Sequence, residues 1–237
     1  MIIKNIGDNF LSLFGYELTI KSRRMVRKHI GQSYELIKLL GFKPATIIDV
    51  GVANGTPALY NCFTDSYILL IEPLKEFEEN MISILKKRRG SYVIAAAGST
   101  SGKVKFNKHL NHLSGSSLYK ETMGIEADGQ ETTVPMIRLD DILKEKSLYG
   151  PYLIKIDTQG SELDVLDGFG ESFLETEVVV LEVSMYGFMK GAPQFYDVVQ
   201  YMKQRNFVAY DIILGWNRPL DDALGQVDIV FKRKRNF

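Results

Sequence analysis

The stretch that most constrains this fold is residues 152–169, YLIKIDTQGSELDVLDGF. It opens as a short apolar strand, passes through Lys155 and Asp157, turns at Gly160 and continues with apolar residues at helical spacing. Strand alternation places Lys155 and Asp157 on one side. Asp157 thus stands where a strand ends and a helix is about to begin. Repeated strand–turn–helix units of this kind build a parallel sheet, and such sheets bind ligands at the carboxyl ends of their strands.

The unit does repeat. Residues 46–56, TIIDVGVANGT, are an apolar strand ending in Asp49, then a loop with Gly51 and Gly55. Residues 67–73, YILLIEP, are a second apolar strand ending in Glu72 and Pro73. A glycine loop lets backbone approach a ligand closely. An acidic side chain about twenty residues further on, at the next strand tip, accepts hydrogen bonds from ribose hydroxyls. The pair points to a nucleoside-containing cofactor. A dinucleotide loop has the form G-x-G-x-x-G, but here the middle glycine is absent and Asp49 precedes the loop. That carboxylate repels a pyrophosphate and attracts an ammonium group, which favours S-adenosylmethionine over NAD.

Further strands are expected at 91–96, 103–107, 132–137, 177–183, 207–213 and 226–232, with helices at 75–88, 139–145 and 193–205. A short helix follows Thr56-Pro57, where proline suits the first turn. The alternation implies an α/β fold: a Rossmann-like, mostly parallel sheet with helices on both faces. The last two strands are expected to form a hairpin that supplies a reversed edge strand. Residues 108–130 read as a long loop or lid, and long loops in compact domains are often functional. Ahead of the sheet, Ser22 is placed to cap a helix reaching about Leu40, and Phe10, Leu11, Leu13 and Phe14 form an apolar cluster. Residues 1–44 are therefore taken as an N-terminal helical extension and 45–237 as the cofactor-binding domain.

The series IDVG…NG, IEP, VPMIRLDDIL, LIKIDTQGSELDVLDG and VVLEVS resembles the FkbM-type methyltransferases over roughly residues 45–215. The resemblance implies the class I methyltransferase fold, a Rossmann-like seven-stranded mostly parallel sheet with helices on both faces, and O-methylation using S-adenosylmethionine, with sugars, polyketides and related natural products among the acceptors. The family loop is commonly D-x-G-A-N-x-G; here Ala53 stands where that asparagine is usual and Asn54 follows it.

An alcohol is a poor nucleophile until a base takes its proton. Asp157 is the first candidate, and Glu182, at the end of strand 177–183, is a neighbouring carboxylate. His112 in the long loop is an alternative base. The cofactor candidates are backbone at Gly51 and Gly55, Asp49 for the ammonium, Glu72 with Pro73 for the ribose, and Ala96 beside the adenine. Asn54 and Ser117 are further candidate contacts. No metal is expected, since the carboxylates are dispersed. Two other classes stay open: a nicotinamide oxidoreductase, revealed by NAD binding, and a non-catalytic cofactor-binding scaffold, revealed by binding without turnover.

Equal numbers of basic and acidic residues, 29 each, remove any global pull toward nucleic acid. One cysteine, Cys62, excludes an intrachain disulfide and suits a reducing cytoplasm; a buried position is expected for it. No apolar run is long enough for stable membrane insertion, and no signal peptide is expected. The expected partner is a small-molecule or glycan acceptor, with a homodimer through the apolar N-terminal cluster left open.

Overall fold

The computed structural model describes residues 27–122 and 129–234. The N-terminal apolar cluster and the first part of the expected helix lie outside these residues. What is described there is α1 (Ile30–Leu39), which buries Tyr34 and Ile37 against the sheet.

The main sheet has seven strands: β1 (Thr46–Val50), β2 (Tyr67–Glu72), β3 (Gly90–Ile94), β7 (Tyr152–Ile156), β8 (Thr176–Ser184), β9 (Phe207–Leu214) and β10 (Gln226–Arg233). Their spatial order is β3-β2-β1-β7-β8-β10-β9. The pairs β1–β2, β2–β3, β1–β7 and β7–β8 are parallel. The chain moves outward from β1 to β3 and returns on the other side at β7. The junction of β1 and β7 is therefore the switch point where open α/β sheets bind ligands.

Both faces of the sheet are covered. Alternation sends Ile48, Val50, Ile154 and Ile156 into one core, with α4 (Leu139–Glu145), α5 (Glu162–Asp167) and α6 (Phe195–Gln204) over it. It sends Ile47 and Leu153 into the other, with α1, α2 (Pro57–Cys62) and α3 (Glu78–Leu85). Each fully buried Ile, Leu or Val contributes about 1.5–3 kcal/mol. Near-continuous apolar strands are what a sheet buried on both faces requires. Asp49 and Lys155 sit side by side in the β1–β7 register and so interrupt the second core with charge. Cys62 is buried, as expected.

Four expectations need correction. The strand read at 91–96 stops at Ile94; Ala96–Ala97 (β4) leaves the main sheet and pairs with β6 (Gln130–Ile137). With β5 (Gly102–Lys108) these make a separate three-stranded sheet, so 132–137 is not a strand of the main one. The reversed strand is not at the edge: β10 runs antiparallel between β8 and β9, and β9 is the edge. The segment 75–88 begins as a tight turn at Lys75–Phe77 before α3 proper.

Candidate active site

The ends of β1, β2, β7 and β8 converge on two connected spaces. The inner cavity, with about 480 Å³ of free space, is lined by Gly51, Glu72, Pro73, Ala96 and Asp157. Leu74, Phe77 and Phe106 add apolar walls. Phe106 comes from β5, so the small sheet roofs the cavity. The outer cleft, with about 1270 Å³ of free space, carries His109, His112, Gln159, Glu182, Trp216 and Gln226. Gly51, Ala53, Ser114 and Asp157 line both spaces, so the two meet at Asp157.

Gly51 has φ +75°, and a Cβ there would lie 1.8 Å from the Asp157 carbonyl oxygen. Only glycine lets the β1 loop pass this close to the end of β7. Gly55, at φ +85°, backs onto Ile84 and does not line the cavity. Asn54 turns to Asn80, whose Nδ2 donates to its Oδ1 at 3.2 Å.

Glu72 is 4% exposed. Its Oε2 accepts the Ala53 N–H at 3.0 Å and its Oε1 the Leu74 N–H at 2.9 Å. Burial pushes its pKa up to about 6 despite those two donors. Asp49 does not reach either space. It is fully buried, accepts the Tyr60 hydroxyl through Oδ2, and leaves Oδ1 without a hydrogen-bond partner. Burial raises its pKa, against the pull of Lys155.

Asp157 is the hub of a polar network. Lys155 Nζ donates to its Oδ2 at 2.9 Å, and Gln159 Nε2 to its Oδ1 at 2.9 Å. The same Gln159 nitrogen donates to Glu182 Oε2 at 2.6 Å, and Gln226 Nε2 donates to that oxygen at 3.0 Å. Burial opposes the charge on Asp157, but Lys155 and the hydrogen bonds outweigh it and lower its pKa. Burial also opposes the charge on Lys155, yet Asp157 and Asp49 hold the ammonium ionised. Glu182 goes the other way: burial and the Asp157 anion push it up to about 8. At neutral pH one of the paired carboxyls is thus ionised and the other protonated, as like charges this close demand.

The loop after β7 is held by Glu162, whose Oε1 accepts the Thr158 and Gly160 N–H groups at 3.1 and 3.0 Å. That fixes Gln159, at φ +54°, in its bridging position. Ser117 is buried and lines neither space. Its Oγ donates to the Gln159 carbonyl at 2.7 Å and accepts the Tyr119 N–H at 2.9 Å, tying the roof to this loop. His112 lines the outer cleft, with Ser114 Oγ 3.3 Å from its Nε2.

The structure thus brings Asp157, Glu182 and His112 onto one cleft, and Glu72, Pro73, Ala96 and Gly51 onto one cavity. It leaves Asp49, Asn54, Gly55 and Ser117 behind the walls. Sequence reasoning missed Gln159, Gln226 and Trp216. Gln159 lies between Asp157 and Gly160, but a glutamine in a turn reads as an ordinary solvated residue; Gln226 and Trp216 carried no signal either.

Among the described residues no group of three His, Cys, Asp or Glu is placed to hold a metal ion, and no helix is long and apolar enough to cross a membrane.

The family model for the methyltransferase FkbM domain matches residues 49–209. No curated protein matches the chain. Among solved structures the chain is similar to an rRNA methylase from Streptococcus thermophilus, with 9% identity, coverage of 89% of this chain and 99% of that one, and a TM-score of 0.48. It is also similar to the ribosomal protein L11 methylase of Lactobacillus delbrueckii subsp. bulgaricus, with 13% identity, coverage of 93% and 90%, and a TM-score of 0.46. A third is the Burkholderia thailandensis 1,6-didemethyltoxoflavin-N1-methyltransferase, solved with S-adenosylhomocysteine, with 9% identity, coverage of 88% and 80%, and a TM-score of 0.43.

Proposed function

The chain belongs to the FkbM family of methyltransferases, and from that premise we propose that it moves a methyl group from S-adenosylmethionine to a hydroxyl of a sugar, glycan or related natural product. The observation that carries this reading is the position of Asp157 on the wall shared by the inner cavity and the outer cleft. A donor in one and an acceptor in the other would meet at this carboxylate.

The inner cavity fits the donor. Glu72 offers a carboxylate to a ribose diol, with its second lone pairs still open. Leu74, Phe77, Ala96 and Phe106 give the flat apolar surface that an adenine fills. Gly51 brings backbone to the cavity wall, where the methionine portion would lie.

When bound, S-adenosylmethionine supplies a methyl group on a good leaving group, so the protein's main task is positioning. Asp157, ionised beside Lys155, holds the acceptor hydroxyl and takes its proton. Protonated Glu182 keeps the net charge of the pair at minus one. Gln159 holds both carboxyls at fixed separation. The proton leaves through the outer cleft, where His112 stands.

Calorimetric titration with S-adenosylhomocysteine, with NAD as the comparison, tests the reading. Micromolar binding of the former alone, clearly weakened in Glu72→Ala, is the expected result. A folded protein that binds neither, or binds only NAD, would overturn it.

A further inference from the structure

The outer cleft has a wall that the chemistry at Asp157 does not use. Trp216 is 47% exposed there, yet it is held firmly. Its carbonyl accepts the N–H groups of Gly225 and Gln226 at 2.7 and 3.1 Å. Its ring packs so closely on Gly225 that a Cβ there would lie 2.7 Å from Cε3. Phe188 meets the indole edge-on, with centroids 5.6 Å apart, and Tyr186 meets Phe188 at 6.0 Å. A half-exposed tryptophan gains little for the core. A fixed one beside a cleft is a binding surface, because an aromatic face combines large contact area with low ordering entropy.

Facing this wall are polar groups. Glu182 and Gln226 stand at the floor, with Asp157 and Gln159 beside them. Glu121 adds another carboxylate to the lining. Among the described residues that line the cleft there is no lysine or arginine. Lys155 lies behind Asp157 and is already paired with it. Phosphate is usually recognised through Arg, Lys or clustered backbone N–H groups, and in their place the described lining offers only His109 and His112. The cleft also suits an apolar polycyclic acceptor poorly, since covering these carboxyls and carboxamides with apolar surface takes them from water and offers no new hydrogen bonds in return. A pyranose ring meets both demands. Its C–H face lies on an aromatic ring, and its hydroxyls radiate in the plane toward acceptors and amides.

We propose that Trp216 and Phe188 form a stacking platform for an uncharged, phosphate-free pyranose of the acceptor, with Glu182 and Gln226 binding hydroxyls next to the one presented to Asp157. The inference rests on the methyl-transfer reading above and narrows it: the sugar is methylated as a free glycoside or glycan unit, not as its nucleoside diphosphate or phosphate ester.

Trp216 is the only tryptophan in the chain, so intrinsic fluorescence reports on this one position. The protein saturated with S-adenosylhomocysteine is titrated with neutral methyl hexopyranosides and deoxyhexopyranosides, with hexose 1-phosphates, and with nucleoside diphosphate hexoses. A saturable change in emission is expected with a neutral glycoside, at concentrations at least tenfold lower than with any phosphate-bearing counterpart. For that glycoside as acceptor, Trp216→Ala should raise KM at least tenfold with kcat changed less than threefold, and Trp216→Phe should recover most of the loss. Emission unmoved by every neutral glycoside, while calorimetry shows S-adenosylhomocysteine bound, overturns the platform and leaves the methyltransferase reading standing. Equal or tighter binding of the phosphate-bearing sugars overturns it as well. Failure to bind S-adenosylhomocysteine removes the methyl-transfer reading, and the platform with it.

Discussion

Two carboxyl groups held by a single amide nitrogen divide their roles by environment. Asp157 is kept ionised by Lys155, whereas Glu182 keeps its proton to about pH 8. The neutral isostere should therefore be tolerated at one position and not at the other. Glu182→Gln should retain turnover within about tenfold, while Asp157→Asn should lose about 10²–10⁴-fold in kcat, the usual worth of a general base. Steady-state kinetics on both variants, with circular dichroism to confirm folding, checks the assignment; equal losses would remove the distinction. Glu72 makes a second residue-scale prediction. Its carboxyl is pushed up to about 6, and a ribose diol donates best to the ionised form. Affinity for S-adenosylhomocysteine should fall as pH drops below about 6, by up to tenfold per unit, and Glu72→Gln should flatten that dependence in calorimetry. Asp157, Glu72 and Gly51 were legible in the sequence because each sits at a strand end, beside a turn with its own chemical signature. Gln159 and Gln226 were not. A glutamine in a turn and a glutamine opening a strand look like ordinary solvated residues until folding aims both at one carboxyl. Asp49 was legible as a carboxylate beside the loop, but strand parity alone did not reveal that Tyr60 would close over it.

At the scale of elements, the roof and the loop after β7 are joined by one hydroxyl. Ser117 Oγ spans Gln159 O and Tyr119 N. Ser117→Ala leaves the partly buried Gln159 carbonyl and Tyr119 N–H short of a partner, which costs about 0.5–1.5 kcal/mol. Urea denaturation should show that loss, and faster amide exchange at residues 158–160 should accompany it; exchange unchanged there would mean the roof does not hold the loop. The parallel strands were legible because both their faces are buried, which leaves runs such as TIIDV and YILLIE. The small sheet was not. A two-residue strand, Ala96–Ala97, has no period to read, and its partner β6 is thirty-odd residues away.

For the whole molecule, the site is a source of instability in the ligand-free protein. Glu182 and Glu72 have ordinary values of 4.5 and are raised on folding to about 8 and about 6. Between those limits the folded state binds more protons than the unfolded one, so stability falls as pH rises. Asp157 works in the opposite sense, but its depressed value confines that contribution to lower pH. The expected outcome is a lower Tm at pH 8 than at pH 5, with Glu182→Gln raising Tm by several degrees at pH 8 and much less at pH 5, as differential scanning calorimetry would measure. A variant with no pH-dependent gain would show that the pair carries no such penalty. The mostly parallel sheet with helices on both faces was legible from the alternation of strand and helix along the chain. The place of β10 was not, because pairing between distant strands leaves no local trace.

That placement has a consequence for the order of events during synthesis. β10 follows β9 in the chain but lies inside it in the sheet. When β9 leaves the ribosome, its eventual neighbour does not yet exist, and the edge of β8, with its run Val178–Val180, has nothing to pair with. Such an edge invites another strand, from the same chain or a neighbouring one. Gln226 and the support under Trp216 arrive with that same late segment. The nascent polypeptide therefore passes through an interval in which every residue lining its inner cavity has been made, its outer cleft is unfinished and its most adhesive edge is bare, an interval that ends only when the reversed strand slides into the gap.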